Sequence, residues 1–276
     1  MRSTPDRVGA GALVGRRAAQ QDTFLTEVLA RDGSILAIVA DGMGGHAEGA
    51  LASQLAANAF RDTFVPAHAQ GGALRTAFEA ALAAANRAVA DAQRGHPERE
   101  GMGTTLLATH LSPKGLAWIS VGDSLLLVEA DGALRRLNED HSMRAVENRG
   151  RASANMLRSA VSGVEIALVD CRPEPVRVGD QDRIIVASDG LLTLSMDLLA
   201  QTLAASRAAA PQALADRILA LVAQEDAPRQ DNCTVLVLQP SAEAAPAIRV
   251  AKPMRPLMLV GLGLVAVALV VFALVW

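Results

Sequence analysis

The sequence predicts an α+β fold followed by one C-terminal transmembrane helix, and three observations support this. Short apolar segments bounded by turn residues indicate buried strands. Two long amphipathic patterns follow one another in the N-terminal third, and strand and helix patterns are grouped rather than alternating, which is typical of α+β folds. The third observation is an uninterrupted apolar run of membrane-spanning length at the end of the 276 residues.

The strand patterns are short apolar runs, several of them apolar at nearly every position, as expected for strands buried on both faces. They cover residues 35–40, 105–111, 116–121, 125–128, 183–187 and 233–238.

Apolar residues recurring at helical spacing predict amphipathic helices over residues 47–65 and 73–89. A third helix is predicted from Pro211, because proline is tolerated in a first helical turn, to about Gln224.

One long irregular segment interrupts these elements. Residues 138–165 are polar with little apolar periodicity, and such an insert is often functional, so we predict a flap there. Residues 241–256 are rich in alanine and proline and predict a basic linker. Residues 1–240 are therefore expected to form one domain.

The final apolar run indicates a membrane anchor. Leu257 to Trp276 contains no charged residue, and as a helix it would span roughly 30 Å, the thickness of a hydrocarbon core. Arg249, Lys252 and Arg255 precede it, so the positive-inside rule places the folded domain in the cytoplasm. We expect a single-pass C-terminal anchor in the inner cell membrane.

Composition excludes two classes of protein. A net charge of -3 gives no basic surface for nucleic acid, so nucleic acid is not an expected partner. Cys171 and Cys233 are too few for a disulfide framework, and they form no Cys-x-x-Cys zinc motif.

Four aspartates followed by Gly, Ser or Asn indicate a metal site. One Asp-Gly pair is most often a turn, but Asp41, Asp123, Asp189 and Asp231 all lie in similar surroundings beside predicted strands. Buried unpaired carboxylates are costly, and a bound cation offsets that cost. The oxygen ligands favour Mg²⁺ or Mn²⁺, with Asp41 bridging two ions, the Gly42 carbonyl on one, and Asp189 and Asp231 on the other. Such an ion pair can activate water for hydrolysis of a phosphate ester.

Six motifs follow one another in this chain order: Arg17 five residues before Asp22, Asp41-Gly42-Met43-Gly44-Gly45-His46, Gly103-Thr104-Thr105, Gly122-Asp123-Ser124, Ser188-Asp189-Gly190 and Asp231-Asn232. In this order they resemble the bacterial type 2C metal-dependent protein serine/threonine phosphatases, the PPM/PP2C family, over about residues 7–239.

The resemblance implies a central sandwich of two antiparallel sheets flanked by helices. It also implies metal ligands at Asp41, Gly42, Asp189 and Asp231, with Asp123 helping to hold a third ion.

Two further residues complete the catalytic set that the resemblance implies. Arg17 would bind the substrate phosphate, a role that suits its bidentate guanidinium, and Asp22 would help to order metal-bound water. The catalytic residues would thus be Arg17, Asp22, Asp41, Asp189 and Asp231.

The chain departs from the family pattern in two places. Gln20-Gln21 stands where the family often has Asn-Glu before Asp22, which replaces one acidic contact by a neutral amide. Met43 occupies the position where some eukaryotic relatives have a proton-donating histidine, and His46 is not its equivalent.

Two other motifs are weaker. The Cys-x₅-Arg spacing from Cys171 to Arg177 is similar to a cysteine-dependent phosphatase loop, but Pro173 and Pro175 have no N–H to offer a phosphate. The glycines from Gly9 to Gly15 are one residue out of step with a dinucleotide fingerprint and favour an early strand or turn.

The sequence therefore predicts a membrane-tethered signalling phosphatase that uses Mg²⁺ or Mn²⁺, two or three ions, to hydrolyse phosphoserine and phosphothreonine with a metal-activated water. Its expected partners are phosphorylated cytoplasmic or membrane-associated proteins, namely a serine/threonine kinase that it opposes or the substrates of that kinase. The catalytic domain is expected to be monomeric. Two alternatives are a catalytically silent, phosphatase-like scaffold at the membrane and a phosphatase that uses Cys171.

Overall fold

The computed structural model describes residues 7–143 and 156–241, without the side chain of His46. The predicted linker from residue 242 onward, the predicted transmembrane helix and the middle of the predicted flap lie outside the described residues. Within the described ranges, no helix is both long enough and apolar enough to cross a membrane.

The described chain contains strands and helices in a grouped order. The strands are β1 (Val8–Leu13), β2 (Asp22–Val28), β3 (Ile35–Met43), β4 (Gly103–Thr104), β5 (Leu106–Ser112), β6 (Gly115–Val121), β7 (Leu125–Ala130), β8 (Ala133–Arg136), β9 (Asp170–Val176), β10 (Arg183–Ala187) and β11 (Cys233–Leu238). The α-helices are α1 (His46–Ala69), α2 (Leu74–Gln93), α3 (Met196–Ala205) and α4 (Pro211–Gln224).

The strands form two antiparallel sheets. One has the order β1-β11-β10-β7-β8, and the other has the order β2-β3-β5-β6-β9 with the short β4 paired to β3. The β2–β3 register places Asp22 directly opposite Asp41, so two predicted catalytic aspartates lie side by side at one end of their sheet.

The sheets pack face to face with helices on both outer faces. Helices α1 and α2 cover the sheet that contains β3, and α3 and α4 cover the sheet that contains β10. Strand β3 is apolar from Ile35 to Ala40 because both of its faces are covered. Leu36 and Ile38 face α1 and α2, whereas Ile35 and Val39 face the other sheet. This four-layer arrangement confirms the α+β class and the sandwich that the resemblance implied.

Most predicted elements are confirmed. All six predicted strands are present, α1 and α2 extend a few residues beyond their predicted ends, and α4 has the predicted bounds. The predictions missed β2, β4, β8, β9 and α3. Strand β9 contains Pro173 and Pro175, and it lies at the edge of its sheet, where a missing N–H breaks no interior ladder.

Candidate active site

One pocket of about 620 Å³ collects most of the predicted site residues. Asp41, Asp123, Asp189 and Asp231 all line it, and Arg17 lies at the same opening. Gly42 lines it as well, so the predicted metal ligands meet in space although they are separated by up to 190 residues of sequence. Their assignment as ligands stays a prediction.

Both sheets supply these aspartates. Asp41 lies near the end of β3, and Asp123 lies in the turn between β6 and β7. Asp189 begins the 3₁₀ turn that follows β10, and Asp231 precedes β11 by two residues. The pocket therefore lies at the end of the sandwich where strands of the two sheets terminate together.

Asp22 lies beside the pocket and is buried. Its Oδ2 accepts hydrogen bonds from the Ser188 hydroxyl at 2.7 Å and the Thr234 hydroxyl at 2.8 Å. Its Oδ1 is buried without a hydrogen-bond partner among the described residues. Burial, with added repulsion from Asp231 and Asp189, raises the pKa of Asp22 to about 6 against the effect of the two hydrogen bonds.

The pKa of Asp41 is also strongly perturbed. Removal from water raises its pKa well above the usual range, and the charges of Asp22, Asp189, Asp123 and Asp231 act in the same direction. A cluster of carboxylates that repel one another, with one buried oxygen left unpartnered, is an environment that divalent cations stabilise. Because the donors are all oxygen, the residues fit Mg²⁺ or Mn²⁺ rather than a softer metal.

Two threonines fix the backbone of Asp41. The Asp41 N–H donates to the Thr105 hydroxyl at 2.9 Å, and the Asp41 carbonyl accepts from the Thr104 hydroxyl and the Thr105 N–H, both also at 2.9 Å. The Gly103-Thr104-Thr105 motif was noted in the sequence, but this positioning role was not predicted. The sequence signal for this role was the presence of two polar residues, Thr104 and Thr105, directly before a buried strand.

Arg17 lies on an exposed loop that Asn232 holds in place. The Asn232 side chain accepts from the Gln21 N–H at 2.8 Å and donates to the carbonyls of Val14 at 2.8 Å and Ala19 at 3.1 Å. The Arg17 guanidinium forms a 2.5 Å ion pair with Asp231 while 54% of its side chain stays exposed. Sequence reasoning noted Asn232 only as part of a motif and missed this function.

Glycines bring the end of β3 against the start of α1. A Cβ on Gly42 would lie 2.1 Å from the carbonyl oxygen of Gly49, so no other residue fits there without moving the helix. Gly44 has φ +131, a conformation that side chains rarely adopt. Close helix packing thus requires glycine at position 42, and the backbone conformation favours it at position 44.

The two departures from the family pattern also lie here. Gln21 lines the pocket and its amide donates to the Gly45 carbonyl at 3.1 Å. The Gln20 side chain accepts from the N–H of Asp22 at 2.9 Å. Met43 lines the pocket, whereas the side chain of His46, the first residue of α1, is outside the described residues.

The described end of the predicted flap forms one wall of the pocket. Residues 156–160 line it together with Ser162, Val164, Glu165 and Ala167. Met156 and Val164 expose 63% and 68% of their surface. The flap was predicted as a segment, but the sequence did not indicate which of its residues would face the metal site.

The cysteine alternative is not supported. Cys171 lies on β9, outside the residues that line the pocket, and burial raises the pKa of its thiol. A nucleophilic cysteine needs a lowered pKa and a loop of free N–H groups. Here the cysteine is instead part of a paired strand, opposite Ile119 of β6.

Comparison with known proteins agrees with this geometry, since residues 14–220 match the family described as Protein phosphatase 2C. The chain belongs to the protein phosphatase 2C family. Asp231 lies after the matched segment, yet it lines the same pocket as Asp41 and Asp189. The predicted family, the type 2C protein serine/threonine phosphatases, is confirmed.

Two curated relatives are informative. The chain is 35% identical to the serine/threonine protein phosphatase PstP of Mycobacterium tuberculosis over 195 residues, which are 65% of this chain and 37% of that protein. It is 32% identical to the serine/threonine phosphatase stp of Listeria monocytogenes over 115 residues, 41% of this chain and 46% of that protein. The chain thus spans less than half the length of these protein phosphatase 2C relatives.

The fold comparison extends further along the chain. The crystal structure of the PstP catalytic domain in complex with two manganese ions superposes with a TM-score of 0.70 and 30% identity. It covers 84% of this chain and 97% of that one. The protein phosphatase 2C fold therefore accounts for nearly all of the described residues.

Proposed function

We propose that this chain hydrolyses phosphoserine and phosphothreonine on proteins with Mg²⁺ or Mn²⁺. The observation that supports this is the convergence of Asp41, Asp123, Asp189 and Asp231 from both sheets beside Arg17. The two manganese ions in the PstP catalytic domain support the choice of metal. No other described feature gathers this much negative charge in a pocket open to a peptide.

The residues divide between holding metal and holding substrate. Asp41, Asp189, Asp231 and the Gly42 carbonyl would hold two ions, and Asp123 would contribute to a third. When bound, the ions would supply an activated water and neutralise charge on the phosphoryl oxygens.

The remaining steps fall to the protein. Arg17, exposed at the rim, would receive the incoming phosphate through a bidentate pair of N–H groups. Asp22 is buried beside the acidic cluster, and hydrogen bonds from the hydroxyls of Ser188 and Thr234 would hold its carboxylate in place. No histidine lines the described part of the pocket, so the departing serine or threonine alkoxide would take its proton from water.

The test is release of phosphate from a phosphothreonine peptide by the purified chain. We expect activity with Mn²⁺, none with EDTA, and a loss of at least about 100-fold in Asp189→Asn, because metal ions supply several kcal/mol of transition-state stabilisation. Asp62→Asn is the matched control, since Asp62 is an exposed aspartate on α1 outside the pocket lining. Activity that survives both EDTA and Asp189→Asn would contradict the proposed metal-dependent reaction, whereas absence of activity with Mn²⁺ would support the scaffold alternative.

The cellular setting is part of the same proposal. The chain would be held at the inner membrane by residues 257–276 with its catalytic domain in the cytoplasm, acting on a serine/threonine kinase or on the substrates of that kinase. The uncharged apolar run and the basic residues before it support this placement. A tether would raise the local concentration of enzyme near membrane-bound phosphoproteins.

Deleting residues 257–276 tests the tether. We expect the shortened chain to leave the membrane fraction and to keep its activity on a free phosphopeptide, because every residue with a proposed role in metal or phosphate binding lies before residue 232. Dephosphorylation of membrane-bound proteins in cells should fall. A deletion variant that still sediments with membranes would rule out this segment as the anchor.

A further inference from the structure

The strongest unassigned feature is a group of two histidines and one aspartate far from the acidic pocket. Asp32 lies in the turn between β2 and β3, His68 in the last turn of α1, and His110 on β5. Asp41 lies six residues beyond the start of β3 at Ile35, so about 20 Å of strand separates this group from the pocket. The three residues were not predicted as a site.

The group has the geometry of a metal site. One ring nitrogen from each histidine and one carboxylate oxygen of Asp32 all lie within 4.8 Å of one another. His68 Nε2 is 3.4 Å from Asp32 Oδ2, and tetrahedral zinc with ligand bonds of about 2.0–2.1 Å holds its ligand atoms about 3.4 Å apart. The other two ligand-atom separations are within 4.8 Å, so reaching the tetrahedral value would need movements of no more than about 1.4 Å.

Hydrogen bonds leave His110 with a free lone pair. The Ser34 hydroxyl donates to Asp32 Oδ1 at 2.5 Å, so it can only accept from His110 Nε2, 2.9 Å away. Nε2 therefore carries the ring proton and Nδ1 is an acceptor. His110 is only 5% exposed, and its Nδ1 has no hydrogen-bond partner among the described residues. An unpartnered buried acceptor costs free energy that a bound ligand would recover.

The surroundings also suit a metal. Burial, together with repulsion from His68, lowers the pKa of His110 to about 4, so its imidazole is neutral and able to bind a cation at neutral pH. The side chains of His68 and Asp32 are 8% and 41% exposed, respectively. Asp32 thus gives the group an opening through which an ion and a fourth ligand from water could enter.

We propose that Asp32, His68 and His110 form a second metal site, selective for Zn²⁺, that joins the β2–β3 turn, the end of α1 and β5. Imidazole nitrogen distinguishes this site from the all-oxygen pocket, because it favours Zn²⁺ over Mg²⁺ and Mn²⁺. Bound Zn²⁺ links three elements of one sheet and its covering helix, so the site is structural and its main consequence is stability.

The experiment is a calorimetric titration of Zn²⁺ into the full chain, with excess Mg²⁺ present to occupy the acidic pocket. We expect one tight Zn²⁺ per chain. Removing one ligand should lower the Zn²⁺ affinity by more than about 100-fold, because loss of a residue that only hydrogen-bonds to a ligand already lowers metal affinity 10-fold to 100-fold. Asp32→Asn is the primary variant, since its exposed position and retained amide oxygen preserve the hydrogen bonds to Ser34.

Two matched controls distinguish Zn²⁺ binding at this site from Zn²⁺ binding elsewhere on the chain. His96→Asn alters an exposed histidine that also faces a carboxylate, Glu98 at 2.8 Å, and should keep the tight Zn²⁺. Asp189→Asn should keep it too while losing phosphatase activity, so failure of this proposal and failure of the proposed function give different results. The melting temperature should rise with Zn²⁺ in the unaltered chain and not in Asp32→Asn.

His110→Asn serves as a second ligand variant, which should also lose the tight Zn²⁺, and circular dichroism checks whether it folds. Absence of a tight Zn²⁺ in the unaltered chain would overturn the proposal. Equal Zn²⁺ affinity in the unaltered chain and Asp32→Asn would overturn it as well.

Discussion

At the scale of single residues, the adjacent Arg16 and Arg17 show how position decides chemistry. Both guanidiniums pair with an aspartate from the segment before β11, Asp226 and Asp231 respectively, and both side chains are more than half exposed. Of these two arginines, only Arg17 lines the acidic pocket. The loop geometry that Asn232 enforces, rather than the residue type, therefore selects the arginine that can meet a phosphate.

Replacing Arg17 by alanine should weaken substrate binding without unfolding the protein. Hydrogen bonds to a charged group contribute about 1.5–3 kcal/mol, which corresponds to a rise in KM of roughly 10-fold to 100-fold for a phosphopeptide. Steady-state kinetics with Mn²⁺ give this value. Arg16→Ala is the control because it removes the same charge and a comparable ion pair one residue away. A similar rise in KM in both variants would show that general surface charge, not a specific phosphate contact, is responsible.

At the scale of elements, the sequence predicts strands that are buried on both faces and misses strands that are partly exposed. Strand β3 lies between α1 and the second sheet, so nearly every residue is apolar and its pattern is unmistakable. Strand β8 has no fully buried residue and β9 has only one, and neither strand has a continuous apolar run. Strand β2 is likewise at a sheet edge, and four of its seven residues are polar.

The residues of the site likewise fall into those that the sequence could predict and those that it could not. Asp41, Asp123, Asp189 and Asp231 could be predicted because each stands beside a recognisable strand and a turn residue. The supporting hydroxyls of Thr105, Ser188 and Thr234 could not be assigned, since their roles depend on which strands become neighbours. His68 and His110 escaped notice for the same reason.

At the scale of the whole molecule, the acidic pocket lies where the two sheets end together. Asp22 and Asp41 come from one sheet, and Asp189 and Asp231 flank strands of the other. Without a cation, this arrangement places like charges across the junction of the sandwich. Repulsion among these carboxylates should therefore lower the stability of the metal-free protein. The effect should be clearest for Asp22, because its carboxylate is almost fully buried.

Asp22→Asn should make the metal-free protein more stable at pH 7. The asparagine oxygen can accept from Ser188 and Thr234 as Oδ2 does, while the buried charge is removed. The folded-state pKa of about 6 lies above the ordinary value of 3.8, so the charge costs up to about 3 kcal/mol at neutral pH. Protonation of Asp22 removes this cost as pH falls through 6, so the advantage of the variant should shrink toward pH 4.

Urea unfolding of both proteins in EDTA, from pH 7 to pH 4, measures this difference. Comparing variant with parent cancels the opposite contribution of His110, whose low folded pKa favours folding at high pH. Saturating Mn²⁺ at pH 7 should close the gap, because bound cations compensate the carboxylate charge that the asparagine lacks. A gap that does not depend on pH or on Mn²⁺ would mean that Asp22 affects stability through packing alone and not through its charge.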